Sequence, residues 1–285
     1  MNTEIKEKTL AYMGPEGSYT EIALEKAIAK YKFEKIEKVM FPSIVQVIEY
    51  LDNNNGYGGV VPIENSIEGI VRETVDNLIR TTSRVMIAGE IYVPISHCLI
   101  SKSKDIGKID KIHSHPQGLA QCIHYIKRTF PEGAEQIKET STSEAVKTLI
   151  NLPPNHAAIG TERAAKLFGL HVLAKNINDE KDNMTRFVYL DSYIPKPTGN
   201  DKTSFAFSTC NKPGALVGIL QAFNENNINL SYIESRPSKK VFGDYTFFVD
   251  FEGHIEDENV QKTIGKIAPL VSYYRFLGSY PKGMK

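Results

Sequence analysis

The sequence predicts an α/β protein made of two units in series, and three observations carry this. Strand and helix signals alternate from Lys8 to about Asp191, the pattern of a largely parallel sheet with helices packed on it. The stretch "SYIPKPTGND" (Ser192–Asp201) holds two prolines, a glycine and polar residues, and reads as a linker. Beyond it the order becomes βαββαβ over about 80 residues, the ferredoxin-like arrangement.

Each element has a local reason. "KTLAYMG" is a short apolar strand ending at Gly14. In "SYTEIALEKAIAKY", Ile22, Ala23, Ala27 and Tyr31 share a helical face, and Ser18 with Glu21 forms a capping box. "EKVMF" and "SIVQVIEYLDNN" repeat the strand–helix step with Ser43 as cap. "YGGVVPIENS" is a strand with a polar end, and "GIVRETVDNLIRTT" is a helix. "EIYVPISHCLIS" and "IDKIHSH" read as strands, and "PQGLAQCIHYIKRTF" as a helix with Pro116 in its first turn. "EQIKET", "STSEAVKTLIN" and "HAAIGTERAAKLFG" continue the alternation, and "HVLAKNI" and "TRFVYLD" close it. In the last unit "KTSFAFSTC", "INLSYIESRPS", "GDYTFFVDFEGH" and "VSYYRFLGSYP" are strands, with "GALVGILQAFNENN" and "EDENVQKTIGKIAPL" as helices.

Composition narrows the function classes. Lys+Arg and Asp+Glu are 34 each, so no net basic field recommends nucleic acid or a membrane surface. Cys98, Cys122 and Cys210 form no CxxC and read as reduced thiols. No basic-then-apolar leader opens the chain, and no apolar run is long enough to span a bilayer, so a cytoplasmic protein is expected. Walker A, GxSxG, HExxH and GxGxxG patterns are missing, which disfavours the cofactor and metal enzymes they mark.

In parallel α/β sheets, ligands sit beyond the carboxyl ends of strands. Three polar clusters fall there: "MGPEGSYT", "PIENSIEG" and "GTE". Gly14, Gly17 and the helix start at Ser18 could face an anion, or could merely make a tight turn. Glu64, Asn65 and Ser66 offer an acid, an amide and a hydroxyl; Asn65 or Ser66 could equally cap the next helix. His113 and His115 are spaced for metal but lack a third ligand, so a structural or helix-start role is expected. His97, His124, His156, His171 and His254 are scattered and carry no assigned chemistry. In "NMTRF", Arg186 suits bidentate carboxylate recognition, or is a solvated edge residue.

Taken in order, "GPEGSYT", "PIENSIEG", "HPQGLAQC", "TSTSEAV", "AAIG" and "NMTRF" resemble the prephenate dehydratases, and "GALVGIL" with "YIESRP" resembles the phenylalanine-binding ACT domain of that family. No chorismate mutase segment precedes the first motif, so the resemblance is to a monofunctional enzyme. It implies a two-lobed, type-2 periplasmic-binding-protein-like catalytic unit at 5–192, with lobe 1 at about 5–83 and 184–192 and lobe 2 at about 84–183. A linker at 193–201 and an ACT domain at 202–281 complete the expected plan, and removing the latter is expected to leave activity while abolishing phenylalanine sensitivity.

The resemblance also implies decarboxylating dehydration of prephenate to phenylpyruvate, with no cofactor or metal because aromatisation drives the step. Thr185 is implied as the essential hydroxyl, with Glu64 as a possible proton source. Asn65, Ser66, Arg186, Phe187, Gly14 and Ser18 would bind substrate. L-Phenylalanine would be the allosteric effector, held by Asn211, Gly214, Ala215, Leu216, Glu234, Ser235 and Arg236 at an interface between ACT domains of a dimer or dimer of dimers. Two other readings stay open at this point: an arogenate dehydratase, and a non-catalytic small-molecule sensor.

Overall fold

The computed structural model describes residues 7–82, 84–209, 212–237 and 245–283. The first sheet is built by β1 (Glu7–Met13), α1 (Tyr19–Tyr31), β2 (Lys35–Phe41), α2 (Ile44–Asn53), β3 (Gly58–Asn65), the short β4 (Gly69–Ile70), α3 (Arg72–Arg80) and β5 (Met86–Pro94). The chain then leaves for a second sheet: β6 (Cys98–Ser101), β7 (Lys111–Ser114), α4 (Pro116–Ala120), α5 (Ile123–Thr129), β8 (Glu135–Lys138), α6 (Thr142–Thr148), β9 (His156–Gly160), α7 (Glu162–Leu167) and β10 (His171–Lys175). It returns in β11 (Met184–Asp191).

The first sheet has the order β2-β1-β3-β11-β5 and the second β10-β6-β9-β7-β8. The β1–β2 and β1–β3 pairs are parallel, as strand–helix alternation requires. The returning β11 runs antiparallel between β3 and β5. This corrects the expected lobe boundary. The second lobe was placed from about residue 84, but β5 pairs with β11 from Met86 to Pro94, so the first lobe keeps β5 and the crossing falls after Pro94. "EIYVPISHCLIS" looked like one strand because it is apolar throughout; it is two, one in each sheet.

The caps behave as their sequences suggest. Ser18 Oγ accepts from Glu21 N, Ser43 Oγ from Gln46 N, and Ser141 Oγ from Glu144 N. The reciprocal half of the Ser18 box is diverted: Glu21 takes the N–H of Gly17 and the guanidinium of Arg163. Arg163 belongs to α7 of the other lobe, and Thr161 Oγ1 donates to Gly17 O at 2.6 Å, so this corner joins the lobes. Burial pushes the Glu21 carboxyl up, but Arg163 and the Gly17 amide outweigh it and hold it below the ordinary range.

The C-terminal unit comprises β12 (Asp201–Thr209), α8 (Ala215–Glu225), β13 (Leu230–Pro237), β14 (Tyr245–Glu252), α9 (Glu258–Ile267) and β15 (Val271–Pro281). Its antiparallel order β13-β14-β12-β15 is the ferredoxin-like one. One face buries Phe205, Phe207 and Phe251 beneath the helices, against Phe223 of α8. The other face puts Ala206, Phe248, Leu277 and Tyr280 into the same core as Val61, Ile63, Ile87, Val188 and Leu190 of the first sheet.

That shared core changes the expectation that the last unit is cleanly removable. Each large apolar side chain it would uncover is worth about 1.5–3 kcal/mol. Arg236, expected at an effector site, instead bonds Asp76 of α3 through Nε (3.0 Å) and Nη2 (2.9 Å), spanning the same boundary. The backbones also touch. Gly278 has φ +146°, and a Cβ there would lie 2.1 Å from the carbonyl oxygen of Ile87. Gly278→Ala is expected to lower stability by about 2–4 kcal/mol through overpacking and backbone strain. Thermal unfolding would show a reduced Tm; an unchanged Tm would mean that the strands separate without cost.

Candidate active site

β11 delivers two consecutive side chains to opposite faces, as any strand must. Thr185 and Phe187 face a cavity of about 290 Å³ between the lobes; Arg186 points away from it. β3 would fall out of step with this, because Phe187 pairs with Pro62 and Arg186 with Glu64. A bulge at Ile63 restores the phase. It places Asn65 opposite Thr185 on the cavity side and leaves Glu64 on the back with Arg186.

The Thr185 hydroxyl is oriented by Asn65. Asn65 Oδ1 accepts from the backbone N–H groups of Ile67 and Glu68, both at 3.0 Å, so its Nδ2 must face the other way. Nδ2 donates to Thr185 Oγ1 at 2.9 Å and to Asn183 Oδ1 at 2.7 Å. Oγ1 therefore accepts from Asn65, and its own proton is left for the cavity. The chain of bonds continues inward. Asn183 Nδ2 donates to Gln121 Oε1 at 3.3 Å, and His97 Nε2 lies 3.0 Å from the same oxygen. An oxygen that only accepts requires His97 to carry its proton on Nε2. Tyr19 lies 3.4 Å from Nδ1 and donates to Ser96 O at 2.8 Å.

The remaining lining comes from both lobes. Gly14, Ser18 and Thr20 lie at the start of α1; His115, Gln117 and Gly118 lie on α4; Thr140, Ser141 and Thr142 lie before α6. His115 caps α4 by accepting from Gln117 N at Nδ1, so the neutral ring carries its proton on Nε2. Among the described residues the lining contains no Lys, Arg, Asp or Glu. Hydroxyls, amides and imidazoles would have to hold an anion here, helped by the N-terminal end of the thirteen-residue α1.

Several sequence expectations separate at this point. Gly14, Ser18, Asn65, Thr185 and Phe187 are brought together at the cavity. Glu64, Ser66 and Arg186 are not; they line a second cavity, of about 290 Å³, with Tyr92, Asp182 and Met184. Glu64 Oε2 pairs with Arg186 Nε at 3.1 Å, and so is turned from the place where it could protonate a leaving group. Ser66 Oγ accepts from Met184 N, and Ser66 N bonds Met184 O, so this residue fastens the start of β11. Arg186 bonds Asp250 rather than facing substrate. His113 lies between Glu139 and His156, at 2.9 and 2.8 Å.

At the C-terminal unit, Gly214 is the N-cap of α8 with φ +79°, and Ala215 and Leu216 open that helix. Glu234 is half-buried and Ser235 exposed on β13, an edge strand of the sheet. Asn211 lies outside the described residues, as does Cys210.

Sequence reasoning missed Tyr19, His97, Gln121 and the hydroxyl run Thr140–Thr142 as site residues. The run had a visible signal, since it follows a strand and opens a helix. His97 had none: only the crossing after β5 shows that it lies between the lobes.

Comparison with known proteins divides the chain as the structure does. The family model described as "Prephenate dehydratase" matches residues 10–193, and the one described as "ACT domain" matches residues 207–269. A "Bifunctional chorismate mutase/prephenate dehydratase" of Aquifex aeolicus is 39% identical over 279 residues, covering 98% of this chain and 75% of that protein. A "Prephenate dehydratase" of Methanocaldococcus jannaschii is 39% identical over 285 residues, covering 96% and 98%. The crystal structure of prephenate dehydratase in complex with L-Phe from Arthrobacter aurescens has a TM-score of 0.86 at 32% identity, covering 96% of this chain and 90% of that one.

Burial lowers the His97 pKa, and the Gln121 hydrogen bond opposes this only in part. A group depressed on folding stabilises the fold fully above its unfolded value of about 6.5, and that stability is lost as pH falls from there through the lowered folded value. An NMR titration should place His97 below about 6.5. His97→Gln should flatten the stability profile in that window, and an unchanged profile would show that His97 does not titrate differently on folding.

Proposed function

The chain belongs to the prephenate dehydratase family and carries a C-terminal ACT domain; from that premise we propose that it converts prephenate to phenylpyruvate, carbon dioxide and water in L-phenylalanine biosynthesis, under feedback by L-phenylalanine. The observation that supports Thr185 as the reacting hydroxyl is its bond from Asn65, which leaves the Oγ1 proton to be donated into the cavity.

The chemistry fits a neutral cleft. As the ring carboxylate departs as carbon dioxide, its bonding electrons enter the ring, and the C–O bond to the 4-hydroxyl breaks as the ring becomes aromatic. The leaving oxygen takes up one proton in all and departs as water. Thr185 donates a hydrogen bond to that oxygen as charge builds on it. Asn65 and Asn183 hold Thr185 in place, and Phe187 walls the ring. The pyruvyl carboxylate meets the start of α1 near Gly14 and Ser18, while the imidazole N–H of His115 and the hydroxyls of Thr140 and Thr142 supply donors from the opposite lobe. The described lining offers no carboxylate to pair with an ammonium, which favours prephenate over arogenate.

For regulation, L-phenylalanine is placed between two ACT domains, at the Gly214–Leu216 turn of one and the Glu234–Ser235 strand of the other. Among the described residues nothing pairs the outer edge of β13, and Ile233 (42% exposed) and Val217 (64%) are apolar residues facing solvent. A second copy of this chain would cover them, giving a dimer, or a tetramer as a dimer of dimers. No helix among the described residues is long and apolar enough to cross a membrane, and a cytoplasmic location is proposed with the biosynthetic role.

Thr185→Ala should lower kcat by about 10²–10⁴-fold with the fold intact, while Thr185→Ser keeps most of it. Turnover of prephenate by Thr185→Ala within about tenfold of the parent would sink the assigned role. Prephenate should also be turned over faster than arogenate. Ile233→Lys should reduce the oligomer in sedimentation equilibrium and weaken inhibition by L-phenylalanine by about 5–150-fold. Full inhibition of a monomeric variant would rule out an effector site between subunits.

A further inference from the structure

Arg186 follows Thr185 directly, and its side chain reaches across the boundary to the ACT sheet. Its Nη1 donates to Asp250 Oδ2 of β14 at 2.6 Å and lies 3.4 Å from Glu90 Oε2 of β5. Asp250 is held in turn by Ser204 Oγ at 2.6 Å, and Ser204 Oγ is 2.7 Å from the Tyr280 hydroxyl. Glu90 receives Lys202 Nζ of β12 at 2.9 Å and the Gly283 N–H at 2.8 Å. Arg186, Glu90, Asp250 and Tyr280 are 4, 1, 0 and 0% exposed. This is a buried ionic cluster with members on both sides of the domain boundary.

Two features make it more than an attachment. Arg186 sits on the backbone between Thr185 and Phe187, both on the cavity wall, so a shift of its guanidinium is transmitted to the hydroxyl by one peptide unit. Also, Arg186 Nη2 is buried without a hydrogen-bond partner. Arg186 lines the second cavity, as do Glu64 and Asp182. If Asp250 withdraws, the guanidinium keeps its contact with Glu64 and has room to move toward Asp182. Asp250 is the nearest of three carboxylates around the guanidinium, so its withdrawal shifts the balance toward Glu64, Glu90 and the cavity side, and two discrete arrangements are favoured over a gradual one.

We propose that Arg186 is a positioning residue that couples the ACT sheet to Thr185, held by Asp250 when the hydroxyl is aligned and, still paired with Glu64, released toward Asp182 when it is not. The inference rests on the functional reading above, that Thr185 reacts and that the ACT domain carries the effector.

The test uses the full chain with four measurements: kcat, KM for prephenate, L-phenylalanine binding by equilibrium dialysis, and its inhibition of the rate. Asp250→Asn should lower kcat by about 10–100-fold, because the hydroxyl is misplaced rather than removed. KM should stay within about threefold. L-Phenylalanine should still bind while its effect on the rate shrinks by at least about fivefold. Asp250→Glu should recover part of kcat.

Arg275→Gln breaks the boundary contact with Thr81 at the far end of β15 and should behave as the parent, separating a specific line from general loosening. Asp182 is exposed, so Asp182→Asn should keep the fold; it should change inhibition by about fivefold or more at parental kcat. The proposal is overturned if Asp250→Asn, or Asp182→Asn where the former does not fold, keeps parental kcat and inhibition. It is also overturned if Arg275→Gln loses as much as Asp250→Asn. A parent chain that neither turns over prephenate nor binds L-phenylalanine overturns the functional reading itself, and the coupling with it.

Discussion

The pairing of β11 between β3 and β5 is the constraint on which the rest depends. It is the strand that returns from the second lobe, so it fixes where the lobes meet. Its period of two then forces Thr185 and Phe187 into the cleft and Arg186 out of it. One bulge in β3 decides which neighbours they find: with it, Asn65 meets Thr185 and Glu64 meets Arg186. In a regular β3, Glu64 would share the cleft face with Pro62 and Asn65 would turn to the back. The acid and amide of "PIEN" would exchange faces.

Local physics made most of the architecture legible in the sequence. Strand–helix alternation, serine caps, the proline-rich linker and the βαββαβ order each leave a short-range signature, and each is present in the fold. The re-entry of the chain at "NMTRF" was legible too, but only through the family that the motifs resemble. The misses are of another kind. The bulge at Ile63 depends on a partner strand more than a hundred residues away, and no local pattern announces it. The lobe boundary failed for the same reason: an unbroken apolar run does not show which sheet each half joins. Arg186 was read as ligand-binding because guanidinium groups suit carboxylates, and Arg236 because "YIESRP" resembles the ACT motif; both do meet carboxylates, but those are Asp250 and Asp76 of the protein itself.

The shared core explains why the ACT sheet is part of the enzyme rather than an appendage. Phe248, Leu277 and Tyr280 fill the back of the first sheet as its own helices do. Burial alone would pull the Arg186 guanidinium down, yet Asp250, with Tyr280, Glu90 and Glu64, leaves its pKa well above the ordinary value. Removing the domain would therefore expose apolar surface and take from Arg186, beside Thr185, its nearest carboxylate.

Keeping that cation out of the cleft has a catalytic logic. The ring carboxylate carries its full charge in the ground state and loses it on the way to carbon dioxide. A guanidinium facing it would stabilise the substrate more than the transition state, and so slow the step. Neutral donors at the opposite end of the molecule do the reverse, since the leaving hydroxyl gains charge as its bond breaks. On the proposed reading, a lining of Thr, Ser, Asn, Gln and His would supply donors where charge develops, while Arg186, turned to the back, keeps its charge from where it disappears. The same turn that spares the substrate carboxylate frees the arginine to meet Asp250, so one strand's alternation serves both the chemistry and its connection to the ACT sheet.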